Sequence, residues 1–430
     1  MRTFIILTFS IIFSLFLNSH LWAEEPVSGQ ENQMKVLKEE LDDVKAKFDT
    51  MQKEYQEQIK ALEDKIDSIT KSMESERAKK QLEAEIAKEV PITPVPTQAL
   101  SMPIGQIFNP DISVIGDFLG HLTDDETDEN GDRFFVRELE LDFEAAIDPY
   151  AKGFVFLSAS EEDGEWKTEL EEAYASFLHL PLDAQAKLGK FKPAFGRVNQ
   201  FHRHALPWVE YPNIITNYFG EEGISDAGVS VSALVPNPME KYIELTLEAF
   251  DNENALSFAG SEADDLVFLA HLKNFFDISE ASTLELGLTY AGGPNDPGGS
   301  NITNLEGLDL TYKWRSPKEG LYKSFTSQTE FLLSQREGEE VDVDSWGMYS
   351  SLQYQFAKRW SCGGRYDYSE FPQDNTSHEF ALSPVITFAQ SEFAFWRLQY
   401  KHTDRNFGDD ADEIWLQLNF GMGPHRAHKY

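Results

Sequence analysis

Cysteine is all but absent: Cys362 is the only one in 430 residues. A single thiol can build neither a disulfide framework nor a cysteine-based zinc site. Long hydrophobic runs are missing too. The longest largely apolar stretch, Phe4–Leu17, is shorter than the roughly 20 residues a spanning helix needs. The mean hydropathy of -0.42 is also too polar for a bundle of such helices, so a multi-helix transporter is excluded. Positive charge is scarce, with 37 Lys and Arg against 74 Asp and Glu. That balance argues against a nucleic-acid partner, whose phosphates demand the opposite sign. No G-x-S-x-G, H-E-x-x-H or phosphate-cradling glycine loop occurs, so neither an enzyme nor a cofactor is expected. A Ser/His pair drawn from separate strands would leave no such local motif.

What is present divides the chain into four segments. Arg2, the apolar run and Leu21-Trp22-Ala23 before Glu24-Glu25 read as a secretory signal peptide over residues 1–23, which places the protein in a bacterial envelope. Residues 24–90 read as a periplasmic coiled coil. From residue 31 they hold no Pro or Gly, and Met34, Leu37, Leu41, Val44, Phe48, Met51 and Tyr55 recur at alternating steps of three and four. Gln58 interrupts this seam, which resumes at Ile59, Leu62, Ile66, Ile69 and Met73 after a stutter. A seam of this kind buries itself best against copies of itself. Residues 91–106 carry Pro91, Pro94, Pro96 and Pro103 and form a semi-rigid linker.

From residue 107 to 430 the period becomes two. Leu139, Leu141 and Phe143 alternate with Glu138, Glu140, Asp142 and Glu144; Ile243, Leu245 and Leu247 alternate with Glu244, Thr246 and Glu248. Leu284, Leu286 and Leu288 alternate with Glu285, Gly287 and Thr289, and Leu308, Leu310, Tyr312 and Trp314 with Asp309, Thr311 and Lys313. Charges repeated down one strand face do not suit the dry core of a sandwich. They suit a water-filled lumen with the apolar face against outer-membrane lipid. The expected fold is therefore all-β: an antiparallel transmembrane β-barrel of about 16 strands, preceded by an α-helical coiled coil. Short connections are expected near residues 148–149, 180–183, 236–240, 316–320, 357–359 and 390, with a longer exception at 274–282. Long ones are expected near 121–132, 161–165, 192–223, 251–264, 292–301, 335–344, 371–377 and 403–411, on the external side.

The third long connection is distinctive. Residues 184–209 hold Lys187, Lys190, Lys192, Arg197, His202, Arg203 and His204 and no acid, in a strongly acidic chain. A loop of this length can fold into the pore, where Lys190, Lys192, Arg197 and Arg203, with His202 and His204, would favour anions. The acidic lumen face pulls toward cations unless basic groups oppose it, and both outcomes stay open. His202-x-His204 also invites a metal, but Arg203 lies between the rings and no Cys or nearby carboxylate completes a set, so no metal site is expected. The first and sixth loops carry acid clusters, Asp124–Glu126 and Glu339-Glu340 among them, that read as solvated surface or cation bridges to lipid phosphate.

Asn109-Pro110-Asp111-Ile112-Ser113-Val114-Ile115-Gly116-Asp117-Phe118 resembles the first strand of bacterial outer-membrane porin-like proteins related to the phosphate-selective porins of types O and P. Gly189-Lys190-Phe191-Lys192-Pro193-Ala194-Phe195-Gly196 with Asn199 and His202 to His204, Gly220-Glu221-Glu222-Gly223-Ile224-Ser225-Asp226-Ala227-Gly228, and the ending Gly423 to Tyr430 resemble the same group. The resemblance covers about 107–430. It implies a sixteen-stranded trimeric porin with Lys and Arg lining the pore. The resulting expectation is a homotrimeric passive channel for small hydrophilic solutes or anions. The alternative is a structural barrel whose coil tethers the outer membrane to the cell wall.

Overall fold

The computed structural model describes residues 110–423, apart from 127, 129, 163–164, 239–240, 252–255, 261–264 and 321. The signal peptide, coiled coil and linker expected from the sequence lie outside the described residues, as does the C-terminal Gly-Pro-His-Arg ending beyond Gly423. The described chain forms sixteen strands: β1 (Asp111–Thr123), β2 (Arg133–Asp148), β3 (Ala151–Glu162), β4 (Glu165–Leu180), β5 (Ala184–Phe191), β6 (Asp226–Leu234), β7 (Tyr242–Phe250), β8 (Val267–Ser279), β9 (Ser282–Pro294), β10 (Ile302–Arg315), β11 (Ser324–Arg336), β12 (Val343–Ala357), β13 (Trp360–Phe371), β14 (Asp374–Ala389), β15 (Ala394–Arg405) and β16 (Ala411–Met422). Each pairs antiparallel with its sequence neighbours, and β1 pairs with β16, from Val114 opposite Met422 to Thr123 opposite Glu413. Closure removes every sheet edge, so each ladder donor and acceptor is met without water.

The alternation in the sequence becomes an inside and an outside. Leu247 is 53% exposed on the outer face, while its neighbour Glu248 is 5% exposed and turned inward. The same holds for Leu308 and Leu310 outside against Asp309 and Thr311 inside. Exposed aromatics gather near the strand ends. Tyr150, Tyr242, Trp360 and Trp396 mark one rim, and Phe134, Trp166, Phe268 and Tyr290 the other, as interface girdles require. Among the described residues no helix is long and apolar enough to cross a membrane; the crossing elements are strands.

Three connections differ from the expectation. β8 ends at Ser279 and β9 begins at Ser282, so the supposed long exception at 274–282 is a tight turn. Asn274 and Phe275 continue the ladder opposite Leu286 and Glu285. The second and seventh loops are also tight, with β3 ending at Glu162 before β4 at Glu165, and β13 at Phe371 before β14 at Asp374. In each case polar or turn-forming residues are absorbed into strands, because ladder hydrogen bonding outweighs local propensity.

Candidate functional site

The connection between β5 and β6, here called L3 (residues 192–225), lies inside the barrel. Pro193 has no N–H and ends the pairing of β5. Gly196 then adopts φ 58°, and a Cβ there would lie 2.3 Å from Glu330 Oε2, so only glycine lets the backbone run this close to the wall. Wall acceptors meet the N–H groups of this first limb. Ala194 N–H donates to Glu248 Oε2 at 2.8 Å, Gly196 N–H to Thr289 Oγ1 at 3.2 Å, and Val198 N–H to Glu330 Oε1 at 2.8 Å.

Wall donors meet the carbonyls of the returning limb. Arg397 Nη1 donates to Trp208 O at 2.7 Å, Arg137 to Val209 O, and Arg365 to Glu210 O at 2.8 Å and Tyr211 O at 3.3 Å. Lys401 Nζ lies 3.0 Å from Glu210 Oε1. Burial works to raise the Glu210 pKa, but Lys401 and Arg365 outweigh it and hold the carboxyl below its ordinary value. A short helix, α1 (Asn213–Phe219), follows Pro212 and ends at Gly220, whose φ is 95°. Asn213 Nδ2 donates to Glu379 Oε1 at 2.7 Å, and the Tyr218 hydroxyl to Ser345 Oγ at 2.9 Å. The backbone of L3 is thus satisfied by inward-facing polar side chains from strands all round the barrel, which is how a buried loop avoids orphaned groups.

Between these polar fringes sits an apolar core. Phe195, Val198, Leu206, Trp208, Ile214, Ile215, Tyr218 and Phe219 of L3 pack against Phe250, Val267, Leu269, Leu305, Leu332 and Tyr349 of the wall. Phe258, from the loop between β7 and β8, joins them, and Ser257 Oγ donates to Tyr218 O at 2.6 Å.

The six basic residues singled out in the sequence meet different fates. Lys190 falls on β5, in register with Ala173 and Ala227 and on the face opposite buried Phe191, so it does not belong to the lumen set. Lys192 is buried; its Nζ donates to Glu222 O at 2.7 Å and its backbone N–H to Glu172 Oε2 at 3.1 Å. Arg197 pairs with Glu285, and Arg203 with Glu222 at 3.1 Å. His202 is held between two carboxylates, Nδ1 at 2.9 Å from Glu171 Oε2 and Nε2 at 2.7 Å from Glu172 Oε1. His204 Nδ1 lies 3.0 Å from Glu140 Oε2. Burial works to lower the His202 pKa, but the carboxylates around it, Glu140 foremost, hold it well above the ordinary histidine range.

The expectation that no carboxylate lies near the histidine pair is therefore corrected. β2 and β4 bring Glu138, Glu140, Glu171 and Glu172 to it, from some 30 to 65 positions away in the chain. The acidic face of β2 and the basic stretch of L3, which pulled toward opposite ion preferences in the sequence, meet in this contact.

Sequence reasoning passed over Arg137, Arg365, Arg397 and Lys401. Their signal was available, because each is a basic residue in an alternating strand. Their partners, the Trp208–Tyr211 carbonyls and Glu210, become visible only in the folded barrel.

Asn199 holds L3 to itself. Asn199 Nδ2 donates to Pro193 O at 2.9 Å and Ile224 O at 3.2 Å, and its Oδ1 accepts the Ile224 N–H at 2.8 Å. Asn199→Ala leaves these groups buried without partners, at a cost of about 1–3 kcal/mol, and is expected to speed tryptic cleavage within L3 of the folded barrel. Asn199→Asp keeps the Ile224 N–H acceptor and should lie between. Cleavage of Asn199→Ala at the wild-type rate would remove the staple from this account.

Beneath L3, at the end of the barrel with the short turns, lies a cavity of about 1490 Å³. Its lining includes Arg197, His204, Leu206 and Pro207 from L3 with Lys313, Arg315 and Arg397 from the wall, against Asp277, Glu280 and Glu392.

No family model matches the chain. An uncharacterized protein of Aquifex aeolicus (strain VF5) is 29% identical over 344 residues, 69% of this chain and 70% of that one. Among solved structures, the anion-selective porin from Comamonas acidovorans is similar with a TM-score of 0.52 at 11% identity, over 73% of this chain and 99% of that one. OprB of Pseudomonas putida gives 0.51 at 10% identity, over 74% and 95%. The outer membrane channel DcaP of Acinetobacter baumannii gives 0.50 at 10%, over 73% and 96%. At these identities the likeness is one of fold, that of outer-membrane porins and channels.

Proposed function

We propose that this chain is a passive outer-membrane channel for small hydrophilic solutes, with an anion preference set in the vestibule beneath L3. The observation that carries this reading is the cavity itself. It lies inside a closed barrel, is bounded by a loop folded into the lumen, and is lined by Arg197, Lys313, Arg315 and Arg397 against three acids. Arg197 is paired with Glu285, so the preference rests on the three wall residues. Lys192, His202, Arg203 and His204 serve to seat the loop. The short-turn end, where β1 begins, is taken as periplasmic. The fold likeness to an anion-selective porin is consistent with the reading.

Lys313→Gln with Arg315→Gln is the test. A unit charge ~8 Å from a permeating ion in water is worth ~0.5 kcal/mol, favourable for an anion and unfavourable for a cation, so roughly a fivefold change in their ratio. Removing two is therefore expected to lower the anion-to-cation permeability ratio about twenty-five-fold at low salt and less as salt rises. The readout is the reversal potential across a salt gradient in planar bilayers. Glu339→Gln with Glu340→Gln, on an outer loop, should move it much less. A wild type that already prefers cations, or an unmoved reversal potential, rejects the anion reading. A barrel that does not conduct at all leaves the tether.

The heptad seam over Met34–Met73 supports assembly as a trimer through a parallel coil. Crosslinking of the full chain in detergent should trap three copies, and trapping should fail when Leu37 and Leu41 are replaced by Asp. A chain that stays monomeric at high concentration sinks the trimer.

A further inference from the structure

The contact between L3 and the β2–β4 wall contains more negative charge, in a more ordered array, than seating a loop requires. We propose that it is a binding site for a divalent first-row transition metal ion, with His202, Glu140 and Glu171 as ligands and Glu172 orienting the His202 ring.

Four observations carry this. The first is the donor set. Glu140, Glu171 and His202 present ligand atoms within 4.8 Å of one another, and so do Glu138, Glu140 and His204, with Glu140 common to both groups. Imidazole and carboxylate without thiolate suit Zn²⁺, Mn²⁺, Fe²⁺, Co²⁺ or Ni²⁺.

The second is spacing. His202 Nδ1 lies 2.9 Å from Glu171 Oε2 and 3.4 Å from Glu140 Oε2, and His204 Nδ1 lies 3.0 Å from Glu140 Oε2. Ligand atoms held ~2.1 Å from an ion stand ~3.0 Å apart at octahedral angles and ~3.4 Å apart at tetrahedral ones.

The third is unmet polarity. Glu140 is 0% exposed; its Oε2 meets only the two imidazoles, at 3.0 and 3.4 Å, while its Oε1 and Oε1 of buried Glu171 face no hydrogen-bond donor. A buried carboxylate without donors is costly, and a cation coordinated by its oxygens relieves that cost. Glu138, Asp142 and Glu172 add further buried acid, while the cationic groups of Lys192 and Arg203 are both drawn off toward Glu222.

The fourth is the outer layer. His202 Nε2 lies 2.7 Å from Glu172 Oε1, and Glu172 Oε2 accepts the Lys192 N–H at 3.1 Å. A metal-binding histidine characteristically gives its second ring N–H to a carboxylate that is itself held, which fixes the tautomer and raises the basicity of the ligating nitrogen. Access exists as well, since His204 lines the cavity beneath L3. An ion here would clamp L3 to β2 and β4 and so hold the constriction in place.

The test uses the full chain in detergent without a polyhistidine tag, with His425 and His428 replaced by Gln in every variant to remove the C-terminal histidine pair. The protein is stripped with a chelator and reloaded with Zn²⁺ or Co²⁺. We expect one ion per chain by elemental analysis and a visible Co²⁺ absorption band. His202→Gln should abolish both. Glu172→Gln should weaken Zn²⁺ affinity about 10–100-fold. His402→Gln, at the exposed His402–Asp412 pair, should change neither. The folded barrel's gel mobility before heating confirms that each variant has folded, and Glu172→Gln keeps the test decisive if His202→Gln does not fold. A folded wild type that holds less than half an ion after reloading overturns the site. So does His202→Gln or Glu172→Gln binding as tightly as wild type. The array would then be neutralised by protonated histidines alone.

Discussion

Arg365→Leu should release the returning limb of L3 at a cost of about 3–5 kcal/mol, the range for removing one partner of a buried ion pair. Both side chains of the pair are fully buried, with Arg365 Nε 2.7 Å from Asp367 Oδ2. The same guanidinium donates to the carbonyls of Glu210 and Tyr211. Leucine leaves Asp367 with the weaker Asn213 N–H at 3.2 Å and leaves the two carbonyls without this donor. The strand ladders do not depend on the side chain, so the closed barrel should survive and migrate as folded before heating. The effect should appear in the loop. Tryptic cleavage at Arg197 and Arg203 should rise by about a hundred- to a few-thousandfold, which is the stated free energy read as an opening equilibrium. Single-channel records should become noisy as the loop leaves the wall. Arg365→Lys keeps a charge but cannot span two carbonyls and a carboxylate, so it should recover only part of the loss. Cleavage unchanged in Arg365→Leu would show that the limb is held by its apolar contacts alone.

Trp208→Ala should be comparably damaging, at about 3–5 kcal/mol for emptying a large buried aromatic site. Trp208 is 2% exposed and packs edge-to-face on Tyr349, with centroids 5.4 Å apart and planes at 75°. The Arg365 guanidinium lies over its ring, 4.9 Å from the centroid. The wall around it is a closed sheet that cannot collapse inward, so the cavity persists and the cost falls toward the upper end. Trp208→Phe should retain most of the docking. The double change Trp208→Ala with Arg365→Leu should cost less than the sum of the singles, because each already removes the guanidinium–indole contact. Additive effects would mean that the two residues anchor the loop independently. Cleavage within L3 and the thermal midpoint of barrel unfolding together provide the measurement.

Both predictions concern the junction between what was legible in the chain and what was not. The barrel was legible because a strand declares its faces locally. Leu247 and Glu248 need no knowledge of their partners to be placed outside and inside, since lipid and water sort them by polarity alone. L3 was legible as unusual through its charge and its length. The turn at Glu280-Ala281 was misjudged because a two-residue hairpin lacking Gly or Asn carries little local signal.

What each inward polar residue does was decided only by the tertiary structure. His202 in the sequence is a histidine beside an arginine; in the barrel it stands between Glu171 and Glu172, with Glu140 close by. Glu140 in the sequence is one acid of an alternating series; in the barrel it is the shared neighbour of two histidines. Closing the barrel sets strand positions by hydrogen-bond register, and the loop's path across the lumen then chooses which wall residues it meets. Neither quantity is encoded within a window of neighbouring residues, so the sequence by itself determines the container and its two faces, while the pairing of charges inside it emerges only when β2, β4, β13 and β15 are brought around L3.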